Sequence, residues 1–153
     1  MKKTYRGSCH CGKVRYEAEL DLAAGTLRCN CTFCRKARAW LAFTSVNDFR
    51  LLAGEDALKD YQHTPPGKPE PFLHLNFCGH CGVRPFARGG EMPGKGKFIA
   101  VNLGTLDDAP DEDLAGAPIH FADGKHDDWD AKAEGDVPLT PACRCWQQAT
   151  RAG

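Results

Sequence analysis

Seven of the nine cysteines in this 153-residue chain fall into three short clusters. They are Cys9-His10-Cys11, Cys29-Asn30-Cys31-Thr32-Phe33-Cys34 and Cys78-Gly79-His80-Cys81. Thiols one or two residues apart can grip a metal ion from a single turn, and zinc takes sulfur ligands in a tetrahedron. A chain with such clusters must fold so that distant turns converge. The first and third clusters supply two thiols each, which makes one closed four-sulfur site from Cys9, Cys11, Cys78 and Cys81. The middle cluster supplies three, Cys29, Cys31 and Cys34, and leaves a coordination position free. A closed site holds a fold together, whereas an open one accepts water or substrate.

Glycine follows the last cysteine of both pairs, at Gly12 and Gly82. It permits the positive φ that a chelating turn requires, and such turns aim backbone N–H groups at the sulfurs. His10 and His80 lie between paired cysteines and read as turn residues rather than ligands. The alternative for the four thiols is burial as small apolar groups. Arg35 and Lys36 follow the middle cluster instead of glycine. Helix N–H groups and these cations lower thiol pKa values from about 8.5. A structural site closed by Cys143, Cys145, His63, His74, His120 or His126 is the main alternative there. A redox pair is the lesser one, because no thioredoxin-like βαβ pattern surrounds the motif.

Twenty basic and twenty acidic residues cancel, with no basic run, so neither nucleic acid nor an anionic membrane is an expected partner. No stretch approaches the roughly 20 apolar residues of a bilayer span. Met1–Arg6 is basic without a following apolar segment, so a signal peptide is not expected either. These features and the odd cysteine count predict a cytoplasmic protein with reduced thiols. The length predicts one domain.

Short extended runs dominate. Val14–Leu20 alternates charged with apolar or small residues, as a half-exposed strand does. Trp40–Thr44, Phe72–Phe77, Val83–Arg88 and Lys97–Leu103 also read as strands, and the Cys78–Cys81 pair as a hairpin turn. Phe49–Leu52 and Leu58–Tyr61 flank a turn at Gly54-Glu55-Asp56. Thr32–Ala39 predicts about two helical turns with Thr32 or Asn30 near the cap. Pro65–Pro69 and Gly89–Gly96 read as loops. The sum is a mainly β, antiparallel domain with metal at its turns and one or two short helices.

Three segments carry a family likeness: Gly7–Tyr16, Cys29–Lys36 and Phe77–Gly82. With Gly54–Tyr61, Val101–Asp108 and Ile119–Trp129, they resemble the glutathione-dependent formaldehyde-activating enzyme family, which includes the centromere protein V domain. The likeness spans about residues 5–130. It implies a zinc-containing β-tent over residues 1–135, with a C-terminal tail at 136–153. It also implies two zinc ions: a structural one on Cys9, Cys11, Cys78 and Cys81, and a catalytic one on Cys29, Cys31 and Cys34. The implied activity is that of a carbon–sulfur lyase of the S-(hydroxymethyl)glutathione synthase type. Its substrates would be glutathione, or another small thiol, and an aldehyde such as formaldehyde. The alternative is a non-catalytic zinc module that binds a protein, peptide or small thiol. Arg35, Lys36 and Arg38 are candidates for the carboxylates of glutathione. Trp40, Phe43 and Trp129 are candidate pocket walls. The Cys143-Arg144-Cys145 pair departs from the family pattern and reads as uncoordinated thiols.

Overall fold

The computed structural model describes residues 1–64, 69–92 and 96–132. The tail at 136–153 with Cys143 and Cys145, and most of the Pro65–Pro69 loop, lie outside them. The strands are β1 (Lys3–Ser8), β2 (Arg15–Leu20), β3 (Thr26–Cys29), β4 (Leu41–Ser45), β5 (Phe49–Ala53), β6 (Leu58–His63), β7 (Leu73–Cys78), β8 (Phe86–Met92), β9 (Gly96–Asn102), β10 (Ile119–Asp123) and β11 (Asp128–Lys132). Two short helices, α1 (Thr32–Ala37) and α2 (Asp111–Ala115), complete the regular structure. The described fold is mainly β with antiparallel pairing, as the sequence predicts. No helix among the described residues is long and apolar enough to cross a membrane.

The chain divides into two compact units. The first comprises residues 1–27 and 40–119. It holds a sheet of order β1-β2-β5 and a larger one of order β3-β4-β9-β8-β7-β6. In β2, Tyr16, Ala18 and Leu20 are buried and alternate with Arg15, Glu17 and Glu19, the period-2 pattern of a strand with one wet face. The larger sheet presents Ala42, Phe86, Ile99 and Val101 to the same core. Tyr16, Phe49 and Phe86 join the sheets as a ring cluster, with centroids 4.7–5.9 Å apart.

Several boundaries differ from the sequence reading. β1 escapes it because only Tyr5 and Gly7 point inward among polar residues. Gly7 pairs with Tyr16, and a Cβ there would lie 2.3 Å from the tyrosine ring. Gly89–Met92 belongs to β8 rather than to a loop, for the same reason. Gly89 pairs with Phe98, and a Cβ would lie 2.1 Å from that ring. The glycines make room for aromatic rings lying across the neighbouring strand. β8 starts at Phe86, so Val83–Pro85 is connecting chain. α2 is a helix the apolar pattern does not reveal; its signal is the acidic first turn Asp111-Glu112-Asp113.

The second unit comprises residues 28–39 and 120–153. Its described part runs from the end of β3 through α1 and then through β10 and β11. β10 and β11 pair antiparallel with a register shift at Ala122/Asp123. α1 ends where Arg38 adopts a left-handed conformation, φ 51°, with its N–H on the Arg35 and Cys34 carbonyls. Its N-cap is Cys31, not Thr32 or Asn30, because a sulfur takes the part usually played by a side-chain oxygen.

Candidate functional site

In the first unit, Cys9 follows β1 and Cys78 ends β7, each opening a tight turn. The two turns repeat one hydrogen-bond scheme. The Cys9 N–H donates to the Val14 carbonyl at 3.0 Å, and the Cys78 N–H to the Val83 carbonyl at 2.8 Å. Gly12 and Gly82 take φ values of 71° and 75°. A Cβ would meet nothing within 4 Å at either position, so the requirement is conformational rather than steric.

The Sγ atoms of Cys9, Cys11, Cys78 and Cys81 all lie within 4.8 Å of one another. Cys9 to Cys11 is 3.5 Å and Cys11 to Cys78 is 3.7 Å. A tetrahedron of sulfurs about an ion with bonds of ~2.3 Å has edges of ~3.8 Å. A disulfide needs about 2.05 Å, and these cysteines are free. Backbone donors aim at the sulfurs: the Val14 N–H reaches Cys9 Sγ at 3.3 Å. N–H donation from Cys11 and Val83 lowers Cys81 to about 6. Burial works against ionisation of Cys78, yet N–H groups of Cys81 and His80 hold its thiol below the ordinary value. Such donors stabilise thiolates. His10 and His80 are exposed and stand outside the group. Spacing, donors and positive-φ turns together fit a metal ion.

In the second unit, Cys29 ends β3, Cys31 caps α1 and Cys34 lies in its first turn. Their sulfurs also lie within 4.8 Å of one another. The Cys31 N–H donates to Cys29 Sγ at 3.3 Å, and the Cys34 N–H to Cys31 Sγ at 3.4 Å. Thiol donation from Cys29 and Cys34 holds Cys31 well below the ordinary thiol value. The contact with Cys31 pushes Cys29 up, and contacts with Cys29 and Cys31 push Cys34 up. Three thiols this close cannot all ionise without a cation among them. This donor set therefore also fits a metal ion, and among the described residues it has no fourth ligand.

Three histidines considered as closing ligands are engaged with other partners. His74 Nδ1 meets Asp60 at 2.6 Å, His126 Nδ1 meets Asp123 at 2.7 Å, and His120 Nε2 meets the Trp129 carbonyl at 3.1 Å. His63 is exposed at the end of β6. Arg35 and Lys36 are exposed in the last turn of α1, and Arg38 is exposed just beyond it. Trp40 donates Nε1–H to Thr26 Oγ1 at 2.8 Å, and Phe43 packs edge-on against Phe98.

Trp129 does reach the three sulfurs' surroundings. A Cβ on Gly124 would lie 2.5 Å from Cys29 Sγ and 2.9 Å from the Trp129 ring. Sequence reasoning missed Gly124 and Asp123 here. It also missed what Asn30 does: its side-chain amide donates to Asp123 Oδ1 at 2.6 Å and accepts the Lys125 N–H at 2.8 Å. The one signal was an amide side chain between two clustered cysteines.

The site and sheets define a mainly β protein with two sulfur groups arranged for metal. The family model described as glutathione-dependent formaldehyde-activating enzyme matches residues 4–121, and the chain belongs to that family. It is also similar to the crystal structure of a Rhodobacter sphaeroides protein determined as a structural genomics target. That protein is 30% identical, with a TM-score of 0.59, over 74% of this chain and 98% of the other.

Proposed function

We propose that the chain is a zinc-dependent carbon–sulfur bond-forming and bond-breaking enzyme that joins glutathione, or another small thiol, to formaldehyde. The observation that carries this reading is the Cys29-Cys31-Cys34 group. Two of its three sulfurs accept backbone N–H bonds at the start of α1, and no fourth ligand joins the group among the described residues. Cys9, Cys11, Cys78 and Cys81 hold a structural zinc; Cys29, Cys31 and Cys34 hold the catalytic one. Zinc held by these three cysteines would supply a soft Lewis acid that favours the thiolate form of a small thiol at neutral pH.

The chain's residues do the rest. Backbone N–H groups of Cys31 and Cys34 fix two of the sulfurs. Arg35, Lys36 and Arg38 are exposed cations around α1 that suit the two carboxylates of glutathione. Trp129 and Cys29 both border Gly124, so the indole lies near the three-cysteine group. The reaction is an addition. The substrate sulfur forms a bond to the aldehyde carbon, the carbonyl π pair moves to oxygen, and that oxygen takes up a proton. No further reactant is needed, and the reverse reaction releases the aldehyde.

The test is metal content and exchange kinetics for wild type and Cys34→Ala. One zinc per sulfur group, two per chain, is expected for wild type. Cys34→Ala should lose one and stay folded, and wild type should accelerate formaldehyde–glutathione exchange in an NMR exchange measurement. A Cys34→Ala chain that melts as Cys78→Ala does would make the three-cysteine site structural. No acceleration at high protein concentration would reject the formaldehyde reaction.

A further inference from the structure

We propose that Asn30, Asp123 and Gly124 are positioning residues that set the geometry of the three-cysteine group from outside it. The inference rests on that group holding a metal ion, which is part of the function proposed above, and not on the reaction.

The middle residue of Cys29-Asn30-Cys31 is half-buried and held at both backbone and side chain. Its backbone N–H donates to the Ala122 carbonyl at 3.2 Å. Its side chain grips the start of the β10–β11 turn, donating to Asp123 and accepting from the Lys125 N–H. Asp123 is itself fixed, because its other oxygen meets His126 Nδ1 at 2.7 Å. These contacts close over 93 residues of sequence, so they are built by the fold and not by local turn preference. They press the turn onto the cysteines so closely that position 124 has no room for a Cβ. Gly124 does not adopt a positive φ; space, not conformation, requires it. Groups that hold metal ligands from behind commonly tune affinity by about 10–100-fold.

The pairing also has a direction that can be inverted. Asn30 donates and Asp123 accepts, while the Asn30 oxygen takes the Lys125 N–H. Asn30→Asp alone sets two carboxylates face to face. Adding Asp123→Asn restores one donor and one acceptor, and the Lys125 and His126 contacts remain possible with the exchanged atoms.

The experiment measures metal retention rather than turnover. Wild type, Gly124→Ala, Asn30→Asp and Asn30→Asp/Asp123→Asn are loaded with zinc or cobalt(II), then titrated with a chelator. Metal analysis counts the ions, and the cobalt–thiolate bands report each site. The sites are assigned with Cys34→Ala. Gly124→Ala and Asn30→Asp should weaken the three-cysteine site by about 10–100-fold and shift its cobalt spectrum. The four-sulfur site should keep its ion, and the double variant should recover most of the lost affinity. Wild-type affinity in the single variants overturns the proposal. So does equal loss from both sites, or a double variant no better than Asn30→Asp. Absence of turnover would reject the proposed reaction and leave these affinities unaffected.

Discussion

Cys78→Ser is the sharpest test of the four-sulfur group. Cys78 is fully buried, and its sulfur lies 3.7 Å from Cys11 Sγ across 67 residues of sequence. An ion shared between them closes a loop of that size. The chain-entropy expression for a cross-link puts the loss of such a closure at about 4 kcal/mol. At this chain length each kcal/mol moves the melting midpoint by roughly 2–4 °C. The expected fall is therefore about 8–16 °C, before any ligand linkage is counted. Calorimetry of wild type and Cys78→Ser, with metal counted in each sample, measures it. Wild type treated with chelator should fall at least as far, and added zinc should raise it again by mass action. A Cys78→Ser protein that has lost its ion yet melts within about 3 °C of wild type would refute the argument. The two knuckles would then be held by the sheets alone.

Two other substitutions probe the scaffold. Gly7→Ala places a Cβ 2.3 Å from the Tyr16 ring and 2.5 Å from the Thr105 carbonyl oxygen. It also disturbs the 2.8 Å contact between Tyr16 and Thr105 hydroxyls. A loss of about 2–4 kcal/mol is expected in urea unfolding with an unchanged m-value, and a loss below about 0.5 kcal/mol would contradict the packing described. Hydrogen bonds from Arg50 and Arg6 hold the Glu17 carboxyl below its ordinary 4.5. Below that value the unfolded chain binds more protons at this group than the folded one, so its contribution is present above about pH 4.5 and fades as pH falls through the lowered value. Glu17→Gln should flatten the acid limb of the urea midpoint against pH; superimposable profiles would remove Glu17 from the account.

The cysteine groups were legible because chelating spacing is local: Cys9-x-Cys11 and Cys78-x-x-Cys81 declare their turns in four residues. So were β2 and β9, whose alternating or apolar runs match their burial. β1 and the end of β8 were not, because their inward positions at Gly7 and Gly89 carry no side chain. What fills the space belongs to Tyr16 and Phe98 on the partner strand, and no window on one strand contains both. Cys31 as the cap of α1 was hidden by habit, since oxygen caps outnumber sulfur ones. The grip of Asn30 on Asp123 was hidden by distance. Composition tells that an amide sits between two thiols, but not that a turn 93 residues later receives it.

The separation between the two knuckles also sets a clock on biosynthesis. At about 5–20 residues per second, the ribosome needs roughly 3–13 s to make the 67 residues between Cys11 and Cys78. During that interval the nascent chain carries Cys9 and Cys11 without the thiols that complete their set. The four-sulfur centre is thus a late event, assembled only after β2 to β7 have left the peptidyl transferase centre.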